Sequence, residues 1–247
     1  MAFTLAHPAA VVNLSKKHRS YINNAAMILG TMAPDFEYFI YFKPMEVIGH
    51  SIKGFVLINL PLVVLLYLIF YKFIKNDLIS NLPKGINEHL YTLYNDKIKL
   101  INFQEFIIFS YSSFIGMATH VVWDSFTHKN GFVVNKINVL SNTILNIPIY
   151  KYLQHGSTIL GLMIIIRYIL KFKKVQVYNY NIDKKIKYWL QVLLSSMLIL
   201  FAIYKIKGIF SIGEMVIAVM NSGFLSLLLI SLIRTNLKKI KNNHYIL

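Results

Sequence analysis

The chain has 247 residues, 56% of them apolar and only 15% charged, a composition that excludes an ordinary soluble domain of this size and places the protein in a membrane. A net charge of +16 could suggest nucleic acid, but the lysines and arginines gather between apolar runs, as juxtamembrane residues near anionic lipid do, so no nucleic-acid partner is expected. With no cysteine, disulfides, thiolate metal ligands and a cysteine nucleophile are all excluded, and any metal must be held by imidazole and carboxylate.

In chain order, residues 1–15 have no basic stretch ahead of an apolar core and no small-residue cleavage pattern, and are expected to remain uncleaved. Residues 20–31 predict a short helix, after which Pro34 imposes an extended or turned backbone that leaves Asp35 at a helix end. Asp35 and Glu37 could divide the roles of metal ligand and general base, although taken alone they would read as a helix cap with a first-turn acid.

Residues 54–74, 106–123, 157–170, 188–206 and 212–233 are apolar runs that reach or approach the length needed to cross the hydrocarbon core. Pro61 should kink the first. The third is short and interrupted by Arg167; extending it through Phe172, with Arg167 snorkelling to an interface, makes it long enough. Residues 75–104, punctuated by Asn81, Pro83 and Gly85, read as an extramembrane connection. The expected fold is an all-α polytopic membrane bundle of about five transmembrane helices plus a short N-terminal helix. It forms one integral membrane domain over 1–247, with a metal-site part at 1–172 and a two-helix hairpin at 173–247.

His120, Asp124 and His128 stand four residues apart where the second apolar run gives way to polar sequence. On a helix, ligands at that spacing are offset by about 40° around the axis and about 6 Å along it, so His120 and Asp124 can share one cation. His128, about 12 Å beyond His120, needs a second metal with Asp124 bridging, or a helix that breaks near Asn130 and Gly131. Alternating spans put His50, Asp124, His128 and His155 on one face of the membrane, and His7 and Asp35 join them if the N-terminal segment does not cross. That face holds ten of the 26 basic residues, which sets it outside the cytoplasm. Isolated ionisable groups are costly at a bilayer, so a cluster of them points to a metal, a proton path or a substrate site. His18, His89 and His244 stand alone in polar stretches and read as solvated, while His155 could simply cap a span. Ser125 and Ser157 lack a glycine-flanked elbow and are not expected to be nucleophiles.

The segments His7-Pro8-Ala9-Ala10, Gly30 to Tyr38, Gly49-His50-Ser51, Thr119 to His128 and Gln154-His155-Gly156-Ser157 resemble, in that order, bacterial membrane proteins of the family called domain of unknown function 4184, over about the first two thirds of the chain. The pattern is more distantly similar to LexA-regulated membrane-bound metal-dependent hydrolases and to zinc-dependent phospholipase C. In the latter, histidines, an early aspartate and a His-x-x-x-Asp pair bind a zinc cluster that hydrolyses phosphodiesters. The resemblance implies metal ligands at His7, Asp35, His50, His120 and Asp124, with His128 and His155 as later histidines. Ile159 stands where an acid would follow His155, so one or two ions are expected and not three.

The expectation is a metal-dependent hydrolase of the bacterial cytoplasmic membrane, with zinc first and manganese second among its ions. Asp35 and Glu37 are its catalytic carboxylates, and a phospholipid or other lipid-linked ester at the interface is its substrate. The competing expectations are a cation transporter, which would place ionisable groups near the centres of several spans where only Arg167 and Glu214 occur, and a scaffold without chemistry.

Overall fold

The computed structural model describes residues 3–14, 21–45, 47–177, 181–208 and 210–243. His18 and His244 lie outside the described residues. Helix dominates, as expected. A 3₁₀ segment, Thr4–Ala10, is followed by α1, Asn24–Gly30, where the Asn23 side chain accepts the Ala26 N–H and so satisfies one of the orphan donors of the first turn. The predicted start at residue 20 moves inward to this cap. A 3₁₀ turn, Ala33–Asp35, leads into α2, Phe36–Tyr41; Pro34 sits in the first turn, where no backbone donor is required of it.

The first long helix, α3, runs Ile52–Asn81 and is capped by Ser51. It contains two wide π turns, Phe55–Asn59 and Phe70–Ile74. The first of these ends just ahead of Pro61, so the helix passes the missing amide without stopping. The helix outlasts its predicted end, and the polar connection therefore begins after Asn81 and includes α4, Lys84–Leu90. Then come α5, Phe103–Thr127, α6, Phe132–Lys136, and α7, Ile149–Leu170. The third span gains its length at its N-terminal side, not through Phe172.

Ahead of α7 lies a two-stranded hairpin, β1 Thr143–Ile144 and β2 Ile147–Pro148, not expected from the sequence. Leu145 and Asn146 both have positive φ, 49° and 63°, which suits the tight two-residue turn of such a hairpin. The last two helices are α8, Ile182–Lys207, and α9, Ile212–Asn243.

Among the described residues five helices, α3, α5, α7, α8 and the Ile212–Leu237 part of α9, are long and apolar enough to cross a membrane. Their outward faces carry exposed Ile159, Leu160, Met163, Leu194, Leu198 and Phe201. Apolar surface of that extent is stable against hydrocarbon and not against water.

The chain divides into two compact units. The first comprises Met1–Glu37, Glu46–Tyr67 and Lys99–Lys171. Within it α1 crosses α5 at backbone contact: a Cβ on Gly30 would lie 2.3 Å from the Ser113 carbonyl oxygen, and one on Gly116 would lie 2.3 Å from that of Met27. The Asn23 N–H donates to Ser112 Oγ across the same crossing. Tyr67 packs edge-on against Phe109 and accepts the Lys99 N–H, which brings this part of α3 to the start of α5. The 3₁₀ segment lies on α7, where Gly161 meets Ala6 and the Phe3 N–H reaches Thr158 Oγ1.

The second unit comprises Tyr38–Met45, Leu68–Ile98 and Phe172–Leu247. Its α8 and α9 form a hairpin packed through Tyr188, Val192 and Ile230 and through the hydroxyl pairs Ser195–Ser226 and Ser196–Ser222. Small hydroxylated residues at such a contact let helices approach and hydrogen-bond within lipid. Arg234 pairs with Asp77 at 3.1 Å, and Trp189 donates to the Asn81 carbonyl, tying the hairpin to the end of α3 in the same unit.

Candidate metal centre

Four groups from three stretches of the first unit converge: Asp35 from the 3₁₀ turn, His50 from the loop before α3, and His120 and Asp124 from the last turns of α5. Each offers a ligand atom within 4.8 Å of the others, and only His50 is partly exposed. The Nε2 atoms of His50 and His120 face each other at 3.3 Å. His120 Nε2 lies 3.1 Å from Asp124 Oδ2 and 3.5 Å from Asp35 Oδ1, and His50 Nε2 lies 3.7 Å and 3.9 Å from the same two oxygens. Ligands about 2.0–2.2 Å from a tetrahedral ion lie about 3.3–3.6 Å apart, the spacing around which these distances fall.

The backbone sets the direction of these lone pairs. His120 Nδ1 lies 2.7 Å from the Thr31 carbonyl oxygen, to which it can only donate. In the neutral ring Nε2 is then a bare lone pair aimed at two carboxylates, an arrangement that calls for a proton or a cation at its middle. The Thr31 carbonyl is there because Gly30 and Gly116 let α1 and α5 touch. Asp35 is held by the Thr4 hydroxyl, which donates to Oδ2 at 2.5 Å and leaves Oδ1 facing the histidines.

The helix does break at His128: α5 ends at Thr127 and His128 is extended, so the ring folds back to place Nδ1 3.3 Å from Asp124 Oδ1. His7 approaches the same oxygen, with Nε2 at 3.5 Å, and its ring stacks on His120 with centroids 3.9 Å apart. The Asp124 carboxylate is thus shared between two sets, Oδ2 toward His120 and His50 and Oδ1 toward His7 and His128.

Two expected residues are placed otherwise. His155 is on an exposed face of α7 and is not brought to the cluster. Glu37 is buried beside the site, but its carboxylate accepts the backbone N–H groups of Val47, Ile48 and Gly49 at 2.9–3.2 Å. It therefore fastens the loop that carries His50, helped by Asn59, which donates to the Gly49 carbonyl. Sequence reasoning missed Thr4, Thr31, Asn59 and the two glycines; only backbone positions announce them, and no side-chain spacing does.

Burial pushes the His7 imidazole down to about 4, and the neighbouring His120 adds to the shift, so the ring is neutral at physiological pH. Burial would raise Asp35, but His120 and the Thr4 hydroxyl outweigh it and hold the carboxyl below its usual range. Burial likewise opposes ionisation of Glu37, and the Gly49, Val47 and Ile48 amides overcome it. His7 has a thermodynamic consequence. The unfolded chain takes up a proton near pH 6.5 that the folded protein accepts only near pH 4, so stability is full above the first value and falls toward the second. Thermal unfolding of chelated protein in detergent is expected to show that slope, and His7→Gln to flatten it; an equal slope in the variant would exclude His7 as its source.

The chain belongs to the family described as Domain of unknown function (DUF4184), whose family model matches residues 1–232. No curated protein and no solved structure matches it.

Proposed function

We propose that the protein is a membrane-bound metal-dependent hydrolase acting on a phosphoester or other lipid-linked ester at the lipid–water boundary. The observation that carries this reading is the convergence of Asp35, His50, His120 and Asp124, two imidazoles and two carboxylates, at the ends of spanning helices. Histidine with carboxylate suits zinc first and manganese second. When bound, such an ion polarises a phosphoryl or carbonyl oxygen and activates water. His7 and His128, beside the far oxygen of Asp124, would offer ligands to a second ion.

The chain's own groups have distinct tasks. Asp124 joins the two halves of the centre, and Thr31 fixes the His120 tautomer. Asp35, whose Oδ1 is buried without a hydrogen-bond partner, is the carboxylate placed both to ligate and to take a proton. Glu37 is a positioning residue that acts through His50. The distribution of basic residues, ten of 26 on the site's face, supports a site on the extracytoplasmic side of a bacterial cytoplasmic membrane.

The test is metal analysis of purified full-length protein, followed by hydrolysis of bis(p-nitrophenyl) phosphate before and after chelation. Bound zinc with turnover that chelation removes and zinc restores is expected. Bound metal without turnover on phosphodiester or carboxylester would favour a cation carrier, and absence of metal would remove the reading. Glu37→Gln separates its two roles. As an anchor of the His50 loop it should weaken metal affinity by about tenfold or more, whereas a proton-transfer group would leave metal binding intact and abolish turnover alone.

A further inference from the structure

Beside the metal centre, α5 and α7 form an open apolar cleft of about 840 Å³. Its walls include Ile115, Val122, Phe126, Leu153 and Leu160, and Trp123 and Thr127 form its boundary toward the metal centre. From Ile115 to Thr127 the cleft follows about 18 Å of the α5 axis, at about 1.5 Å per residue. Both helices are long and apolar enough to span the bilayer, so the cleft faces hydrocarbon. Trp123 is common to both sites: its ring stands 5.6 Å from that of His7, and its indole N–H donates to Ser157 Oγ on α7. The cleft therefore adjoins the centre across the Trp123 ring. At that end Lys129 follows α5 and Lys151 lies in the first turn of α7, positive charges suited to a phosphate.

We infer that this cleft holds one acyl chain of a glycerophospholipid whose phosphate-bearing head lies toward the metal centre. The inference rests on the proposed hydrolase reading for its catalytic meaning and deepens it by naming the substrate class. The long apolar run of the cleft takes the chain, and the Trp123 wall separates it from the ligands. Specificity would then be set by chain geometry as well as by the headgroup.

Gly156 supplies the test, because it lines the cleft and a Cβ there meets nothing within 4 Å, so a side chain can start from it without a backbone clash. Ala118, exposed on α5, is a second residue lining the cleft. Full-length protein in mild detergent is mixed with dioleoyl phosphatidylglycerol and examined by native mass spectrometry, with bound metal measured in parallel. Wild type is expected to retain one lipid, and Gly156→Leu and Ala118→Leu to retain it about tenfold less while keeping wild-type metal content. Equal retention in both filled variants, or none in wild type, would overturn the inference. His120→Ala is expected to lose metal yet keep the lipid, so failure of the hydrolase reading and failure of the lipid site give different results.

Discussion

Asp124→Asn is expected to weaken metal binding by about a thousandfold, a larger effect than any other single substitution at the centre. The change keeps shape and volume but removes the charge and turns half of a bridging acceptor into a donor. Because Oδ2 faces His120 and His50 while Oδ1 faces His7 and His128, one half loses its oxygen and the other keeps only an uncharged amide oxygen. Breaking a buried ionic arrangement typically costs about 3–5 kcal/mol, equivalent to a loss of about a thousandfold in affinity. His7→Ala, which removes a nitrogen only from the Oδ1 side although its ring also stacks on His120, should remove the second ion and leave the first. Metal content by mass spectrometry, with competition against a chelator for affinity, distinguishes the two. Full occupancy in Asp124→Asn would show that the four-group cluster is not where metal binds.

The second large effect is expected at a residue that touches no ligand. In Gly116→Val, the new Cβ would come 2.3 Å from the Met27 carbonyl oxygen and 2.7 Å from the Thr31 nitrogen, both main-chain atoms of α1 or its end. Neither can swing aside as a side chain would, so the helices must part. Overpacking of this kind costs about 3 kcal/mol, more where backbone must move. The Thr31 carbonyl would withdraw from His120 Nδ1, so metal affinity should fall together with thermal stability. Gly223→Ala is the control: nothing lies within 4 Å of its Cβ, and a helical glycine replaced by alanine should gain up to about 1 kcal/mol. Wild-type unfolding temperature and metal affinity in Gly116→Val would refute the close crossing of α1 and α5.

The spans and the His120–Asp124 pair were legible in the sequence because both depend on spacing along one helix. His50 was legible through topology, since alternating spans bring the start of α3 to the end of α5, and the 3.7 Å approach of His50 to Asp124 bears that out. Much of the rest depended on rotation about an axis or on backbone atoms. His155 neighbours the buried Gln154, yet one residue turns a helix by about 100°, enough to move a side chain from the interior to the surface. Glu37 read as a spare carboxylate because composition shows a charge and not the three amides that receive it. The hairpin at Thr143–Pro148 carried only Asn146 as a cue, with Leu145 an unusual partner for a turn of positive φ.

The grip on His120 comes from main chain, and that governs how this protein can vary. The Thr31 side chain donates to the Ile28 carbonyl and takes no part in holding the imidazole. Replacing it would leave the ring's handle in place. Freedom to drift is therefore concentrated at the residue that does the holding, and intolerance is displaced to its two silent glycine neighbours.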